Sequence, residues 1–379
     1  FGWDRVFCKK SFWERGQHGE WLFRVLWEAS YFPGKLGYYR IKAHFEHRRK
    51  LYRQCGIPTI AFRNAEILEV GPGGGYNTLA FFHWGSRHID LVEANPRGIE
   101  DMKSLFGYQE IPEDKYDIIS CKIEDYSTEK KYDIIIAEGF LSNVPNQQEI
   151  IDKLKDLAAP DGIIVVTCID NVSCFVENMK RLIGKVMVRD ILSYQDKLSF
   201  LSEIFGKQLA MLKGVSRPTE DWVQDNILNP VINDNLELSM LQAICFFGGY
   251  DVLGSSPQMF VDYSWYKDIW YAYKEDYKRQ FREKHMGLLL TNMPEQIMAV
   301  EKAGRLERHF KCIRNLVSEY DKTLQSNYIE EILIHMNEME EDLQGIDGKF
   351  LDVFAEIRDA LWQVHNIGEV NMEHHFTTF

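Results

Sequence analysis

The sequence has no apolar run approaching the ~20 residues that cross a bilayer, and its longest, residues 162–169, is strand-sized. That excludes a helical membrane span. Its cysteines are few and unpaired in pattern: Cys8, Cys55, Cys121, Cys168, Cys174, Cys245 and Cys312 are odd in number, scattered, and form no C-x-x-C. A disulfide frame and a cysteine zinc site are both excluded, and reduced thiols in a cytoplasmic protein are expected. Positive charge is scarce too. A net charge of -13 gives a surface that repels polyanions, which argues against general nucleic-acid binding. An initiator methionine is missing, since the chain opens at Phe1, as it would after removal of a leader or an upstream domain.

What is present is material for a core. Of 379 residues, 45% are hydrophobic and 13% aromatic, enough for one large domain or two ordinary ones. Charge is unevenly placed. Residues 1–60 carry twelve Lys/Arg against five Asp/Glu, a surplus of seven, so the remainder of the chain holds -20. A basic segment over an acidic body can close on an anionic small molecule, or can simply be a solvated helix face.

The stretch Ile67-Leu68-Glu69-Val70-Gly71-Pro72-Gly73-Gly74-Gly75-Tyr76-Asn77 reads as a strand, a tight turn and a helix start. Glycine tolerates positive φ and close approach of a ligand, and a following helix aims unpaired N–H groups at it. A dinucleotide fingerprint G-x-G-x-x-G beginning at Gly71 needs glycine at position 76, which is Tyr76. The glycines instead alternate, as Glu69, Gly71, Gly73 and Gly75.

From residue 65 to about 170 short apolar runs alternate with helical stretches. Strands are predicted at 66–70, 88–92, 117–121, 133–137 and 162–168, and helices at 97–106 and 147–157 between them. This is a βαβ series with a parallel sheet, whose ligands bind at the carboxyl ends of the strands. At the second such end stands Glu93, 18 residues after Gly75, where a carboxylate can accept both hydroxyls of a ribose.

On Glu69, Gly71, Gly73, Gly75, Glu93 and this order of elements, the chain resembles the class I S-adenosylmethionine-dependent methyltransferases. The resemblance implies a doubly wound, seven-stranded, mainly parallel sheet of Rossmann-like form. Residues 249–253 and 259–264 would supply its sixth strand and its antiparallel seventh. It implies that the turn with Pro72 passes under the methionine part of S-adenosylmethionine, that Glu69 orients the turn and the amino group, and that Glu93 and Ala94 meet the ribose. The adenine would lie by Lys122-Ile123-Glu124-Asp125, where the family's usual Asp falls on Lys122, leaving the Ile123 backbone and Glu124 to read it. Glu138 and Gly139 would face the transferred methyl group.

Methyl transfer is an in-line displacement, so alignment and exclusion of water supply most of the catalysis. An oxygen acceptor also needs a base or a metal. Glu138 and Asp170 are the candidate bases. With Asn171 they also resemble the magnesium site of catechol-type O-methyltransferases, so a divalent metal stays open. His83, in the first helix after the glycine turn, is expected in the core.

The implied organisation is a helical, aromatic-rich segment or lid at 1–60, a methyltransferase domain at 61–270 with a helical insertion at 171–235, and a helical region at 271–379. His18, in a polar turn between Trp13 and Trp21, and Arg217, Asp221 and Trp222 in the insertion are candidates to bind the acceptor; surface turns are the alternative. The acceptor is expected to be a small polar molecule, such as a sugar or nucleotide sugar. An aminopropyl-transferring synthase on the same fold and a non-catalytic scaffold are the competing readings. Apolar stripes at Ile329, Ile332, Leu333, Met336, Met339 and Leu343 and at Leu351, Phe354, Ile357, Leu361 and Val364 predict helices that pack on the core or form a homodimer. The pair His374-His375 is a weak metal signal.

Overall fold

The computed structural model describes residues 11–15, 21–25, 38–211, 218–229, 238–261, 265, 267, 274–289, 298–344 and 348–367. The chain divides into two compact units, one of residues 1–167 and 245–258, the other of 168–244 and 259–379.

In the first unit, β1 (Ser11–Arg15) and β2 (Trp21–Val25) pair antiparallel with Trp13 opposite Phe23. This corrects the expectation of helices there. Aromatic and branched side chains suit a strand, and Gly16 and Gly19 between the two runs oppose one continuous helix. The charged stretch that follows does form a helix, α1 (Tyr38–Gln54), stopped by Gly56 at φ +78.

The sheet is formed by β3 (Glu66–Val70), β4 (His88–Val92), β5 (Tyr116–Ile119), β6 (Tyr132–Ala137) and β7 (Ala158–Val166). Its order is β5-β4-β3-β6-β7 and every pairing is parallel. The crossovers include α2 (Thr78–His83), α3 (Pro96–Tyr108) and α4 (Gln147–Leu157). Strands in such a sheet are covered on both faces and therefore read as unbroken apolar runs; Leu68, Ile89, Ile135 and Ile136 are all fully buried. The chain leaves β3 toward β4 on one side and returns to β6 on the other. The switch of direction opens a crevice at the carboxyl end of β3.

Seven strands were expected, and among the described residues the sheet has five. Residues 249–253 form no strand: Gly249 sits at φ +104, and Leu253, more than half exposed, lays its carbonyl against Gly56 rather than along a ladder. Residues 259–261 are likewise irregular, and 262–264 lie outside the described residues.

One face of the sheet is packed by aromatics from α1, α2 and the turn before β3. Phe62 stacks on Phe81 with centroids 5.3 Å apart, and Tyr52 meets both rings edge-on. His83 stacks on Phe45 at 4.7 Å but is exposed, which corrects the expectation of a core position.

The second unit is helical: α5 (Phe175–Met187), α6 (Tyr194–Met211), α7 (Thr219–Val223), α8 (Met240–Phe246, whose last residues belong to the first unit), α9 (Lys274–Lys284), α10 (Val300–Thr323), α11 (Asn327–Leu343) and α12 (Gly348–Asn366). Phe175 on α5 is its hub, 4.9 Å from Phe310 on α10 and 5.8 Å from Phe354 on α12. The two C-terminal stripes bury here, with Ile332, Met336, Ile357 and Leu361 fully enclosed within the chain.

Candidate functional site

The site begins where β3 and β4 end side by side, Val70 opposite Val92. The Gly71 N–H donates to the Val92 carbonyl at 2.9 Å, which turns the chain sharply out of β3. Gly71, Gly73 and Gly75 then stand at φ +69, +57 and +78, in the left-handed region that a side chain resists. Their surroundings differ. A Cβ on Gly75 would come within 2.8 Å of Met102 and Phe106, so this glycine lets α3 pack close. A Cβ on Gly73 would meet nothing within 4 Å, whereas a Cβ on Gly98 of α3 would come within 3.2 Å of the Gly73 carbonyl. The turn is thus packed from behind and open in front.

Glu93, just past β4, binds this turn directly. Its Oε2 accepts from the Gly73 N–H at 2.8 Å and its Oε1 from the Asn95 N–H at 2.7 Å. Each oxygen retains a further acceptor position. Glu69, inside β3, is buried with the Thr78 hydroxyl donating to Oε2 at 2.6 Å. Burial pushes its carboxyl up to about 7, the Thr78 hydrogen bond opposing.

Beside β4, Ala94 lies exposed and Ile123 is buried in the turn Ile123–Asp125. Glu124 is exposed and held from α4: Asn146 Nδ2 donates to its Oε1 at 3.3 Å and Lys153 Nζ to its carbonyl at 2.6 Å. At the end of β6, Gly139 has φ +80 and, like Gly73, no atom within 4 Å of where a Cβ would stand.

Glu138 is gripped by α1. Arg48 donates from Nη1 to Oε2 at 2.7 Å and from Nη2 to Oε1 at 3.0 Å, and the Tyr52 hydroxyl donates to Oε1 at 2.8 Å. This clamp was not visible in the sequence reading. The signal that could have found it is the spacing of His44, Arg48 and Tyr52, which places all three on one face of α1. His44 has its ring in hydrogen-bonding reach of the Tyr76 backbone, and burial followed by the nearby Arg48 charge pushes its pKa down. His44 Nε2 and Arg48 Nε are buried without a partner. Orphaned polar atoms beside an open glycine turn are what a polar ligand would complete.

The remaining candidates lie in the second unit or outside the described residues. Asp170, in the second unit, caps the turn before α5, its Oδ1 accepting from the Val172 and Ser173 N–H groups at 2.9 and 2.8 Å with His285 Nε2 at 3.2 Å. Burial pushes its carboxyl up, but His285 and those two donors win and hold it below the usual range. In the first unit the Glu138 carboxylate is held by the Arg48 guanidinium; in the second, Arg314 Nη1 donates to Asn171 Oδ1 at 3.3 Å. Trp222, expected in a loop, lies on α7, its ring 5.5 Å from that of Phe205 and 5.9 Å from Lys180 Nζ; Asp221 precedes it in the same short helix. His18 and Arg217 fall outside the described residues.

Residues 44–203 match a protein family described as a methyltransferase domain. No curated protein matches the chain. Among solved structures, the chain is similar to PKMT2 from Rickettsia typhi in complex with AdoHcy, with 20% identity and a TM-score of 0.40 over 61% of this chain and 49% of that one. It is also similar to the glycopeptide N-methyltransferase MtfA complexed with sinefungin, with 12% identity and a TM-score of 0.29 over 34% and 56% of the two chains. A third is an S-adenosylmethionine-dependent methyltransferase from Clostridium acetobutylicum, with 12% identity and a TM-score of 0.25 over 27% and 41%. The chain spans about half the length of the Rickettsia protein. Residues 44–203, which hold the glycine turn tied to Glu93, thus match a methyltransferase domain.

Proposed function

We propose that the protein transfers a methyl group to a small polar acceptor at the carboxyl ends of β3, β4 and β6. The Gly73–Glu93 hydrogen bond carries this reading, because it joins the glycine turn, open beside Gly73, to the buried acid of the next strand. Glu69, Gly71, Pro72, Gly73 and Gly75 would hold the amino-acid end of S-adenosylmethionine, Glu93 and Ala94 its ribose, Ile123 and Glu124 its base, and Gly139 the neighbourhood of the methyl group. When bound, the cofactor supplies an electrophilic methyl on a sulfonium. The protein's part is then alignment and exclusion of water.

Within that scheme Glu138 is a positioning residue, since Arg48 and Tyr52 already occupy its oxygens. Asp170 likewise keeps a structural capping role. His44, with a neutral imidazole at pH 7 and an unpartnered Nε2, is the better candidate to take a proton from an oxygen acceptor. The basic surplus of residues 1–60 favours an anionic acceptor such as a nucleotide-linked sugar.

The test is calorimetric titration with S-adenosylmethionine and with its demethylated product, on wild type and Glu93→Ala, followed by an acceptor screen read by mass. Micromolar binding that the variant loses, with a gain of one methyl on an acceptor, supports the proposal. Absence of binding to wild type overturns it, and a product heavier by one aminopropyl group reassigns the reaction.

A further inference from the structure

Outside the site above, two groups of side chains among the described residues are arranged as metal ligands usually are. One is His88, Asp90 and Asp117. Its central carboxylate is taken: Lys130 Nζ reaches both Asp90 oxygens at 3.0 and 3.1 Å, and Tyr126 and Tyr132 also donate to it. An ammonium ion already fills that place.

The other group, His309 on α10 with His335 and Glu338 on α11, has no such cation in it. His309 Nδ1 and His335 Nδ1 face each other at 3.1 Å. Glu338 Oε2 lies 3.5 Å from His335 Nδ1 and 3.8 Å from His309 Nδ1. Two imidazole nitrogens at that separation need a proton or a cation between them. A circle through three points so spaced has a radius of about 2.0 Å, so one central ion would lie at the ~2.0–2.2 Å typical of zinc–nitrogen and zinc–carboxylate bonds.

The donor set narrows the ion. Two imidazoles and one carboxylate suit zinc and its first-row neighbours, whereas calcium and magnesium prefer oxygen alone. Both rings are partly buried and Glu338 is exposed, so an ion can enter from solvent and keep a water as its fourth ligand. The acids Glu338 and Asp342 face the pair from α11; Arg308 on α10 opposes, and Arg305 is neutralised on Asp342 at 2.6 and 2.8 Å.

We propose that His309, His335 and Glu338 form a binding site for one divalent transition-metal ion of the zinc class, which clips α10 to α11. The reading does not depend on the methyltransferase activity.

The experiment titrates the metal-stripped full chain with cobalt(II), following the visible bands of a four-coordinate nitrogen–oxygen site, and then displaces cobalt with zinc. The expected result is saturation at one equivalent. His309→Ala and His335→Ala should each weaken cobalt by more than the ~10–100-fold that loss of an outer-shell partner costs. Glu338→Gln should weaken it less, and Cys312→Ser and the double change His374→Ala with His375→Ala not at all. Circular dichroism of each variant checks that the helices persist, and one equivalent of zinc should raise the melting temperature of wild type but not of His335→Ala. No saturable bands, bands that survive His309→Ala together with His335→Ala, or bands lost with Cys312→Ser or with the change at 374 and 375 would overturn the proposal.

Discussion

Arg48 and Glu138 meet in a two-pronged ion pair, 2.7 and 3.0 Å long, that ties the middle of α1 to the end of β6 across 90 residues of sequence. Both side chains are largely withdrawn from water. A guanidinium fits a carboxylate in this way because its nitrogens form a rigid fork, which an ammonium cannot copy. Tyr52 adds a third donor and anchors the clamp in the aromatic core.

Removing Arg48 leaves Glu138 without its charge partner. Arg48→Ala should destabilise the fold by about 3–5 kcal/mol, and Arg48→Lys should recover only part of this. Urea unfolding at pH 7 measures both. A loss below about 1 kcal/mol, the value of a solvent-exposed pair, would show that the clamp is incidental.

The glycine turn separates fold from binding. Gly75→Ala forces a methyl to within 2.8 Å of Met102 and Phe106 at φ +78, so stability should drop whether or not ligand is present. Gly73→Ala meets no atom, so its cost is the backbone strain of about 1–2 kcal/mol. Its methyl, however, projects into the open front of the turn. S-adenosylmethionine affinity, measured by calorimetry, should therefore fall far more for Gly73→Ala than its stability loss would explain. Equal affinity in Gly73→Ala and wild type would place the ligand elsewhere.

The parts of the fold that could be read from sequence are those built from local pattern. The strands of the parallel sheet appear as apolar runs because both faces are buried, and α4 shows its 3.6-residue stripe at Ile150, Ile151 and Leu154. Glu93 was found because its distance from the glycines is fixed by one helical crossover. The Arg48–Glu138 clamp was not, because nothing local distinguishes Arg48 from its neighbours Arg49 and Lys50. The apparent strand at 249–253 failed for the opposite reason. Its apolar residues form a local pattern, but no tertiary ladder accepts them.

Glu69 makes stability depend on pH in a direction unusual for an acid. Its pKa is raised from 4.5 to about 7 by burial, so the native state binds a proton that the unfolded chain gives up between those values. The native state is therefore disfavoured progressively as pH rises from 4.5 toward 7; below 4.5 the penalty is absent, and above 7 it is complete. At about 1.4 kcal/mol per unit the full penalty is on the order of 3 kcal/mol. Glu69→Gln removes the titration while keeping the Thr78 hydrogen bond. The stability difference between variant and wild type, from urea unfolding at a series of pH values, should thus grow in the variant's favour from pH 5 to about 8. A difference that stays flat would mean that Glu69 titrates normally in the folded protein.

His44 distinguishes oxygen acceptors from amines. A hydroxyl must lose its proton during transfer, whereas an amine need only arrive neutral, so His44 matters to the first and not to the second. With a hydroxyl acceptor, His44→Ala should lower kcat by about 10²–10⁴-fold and leave cofactor affinity unchanged. The wild-type rate should fall as pH drops through the imidazole's titration, which burial places below its ordinary value, and the variant should lose that limb. His44→Gln tests packing apart from proton transfer: it fills the same space with no basic nitrogen, so a rate near wild type in this variant assigns His44 a purely spatial role. Unchanged kcat in both variants, with a methylated amine as product, would instead identify an N-methyltransferase that needs no base at this position.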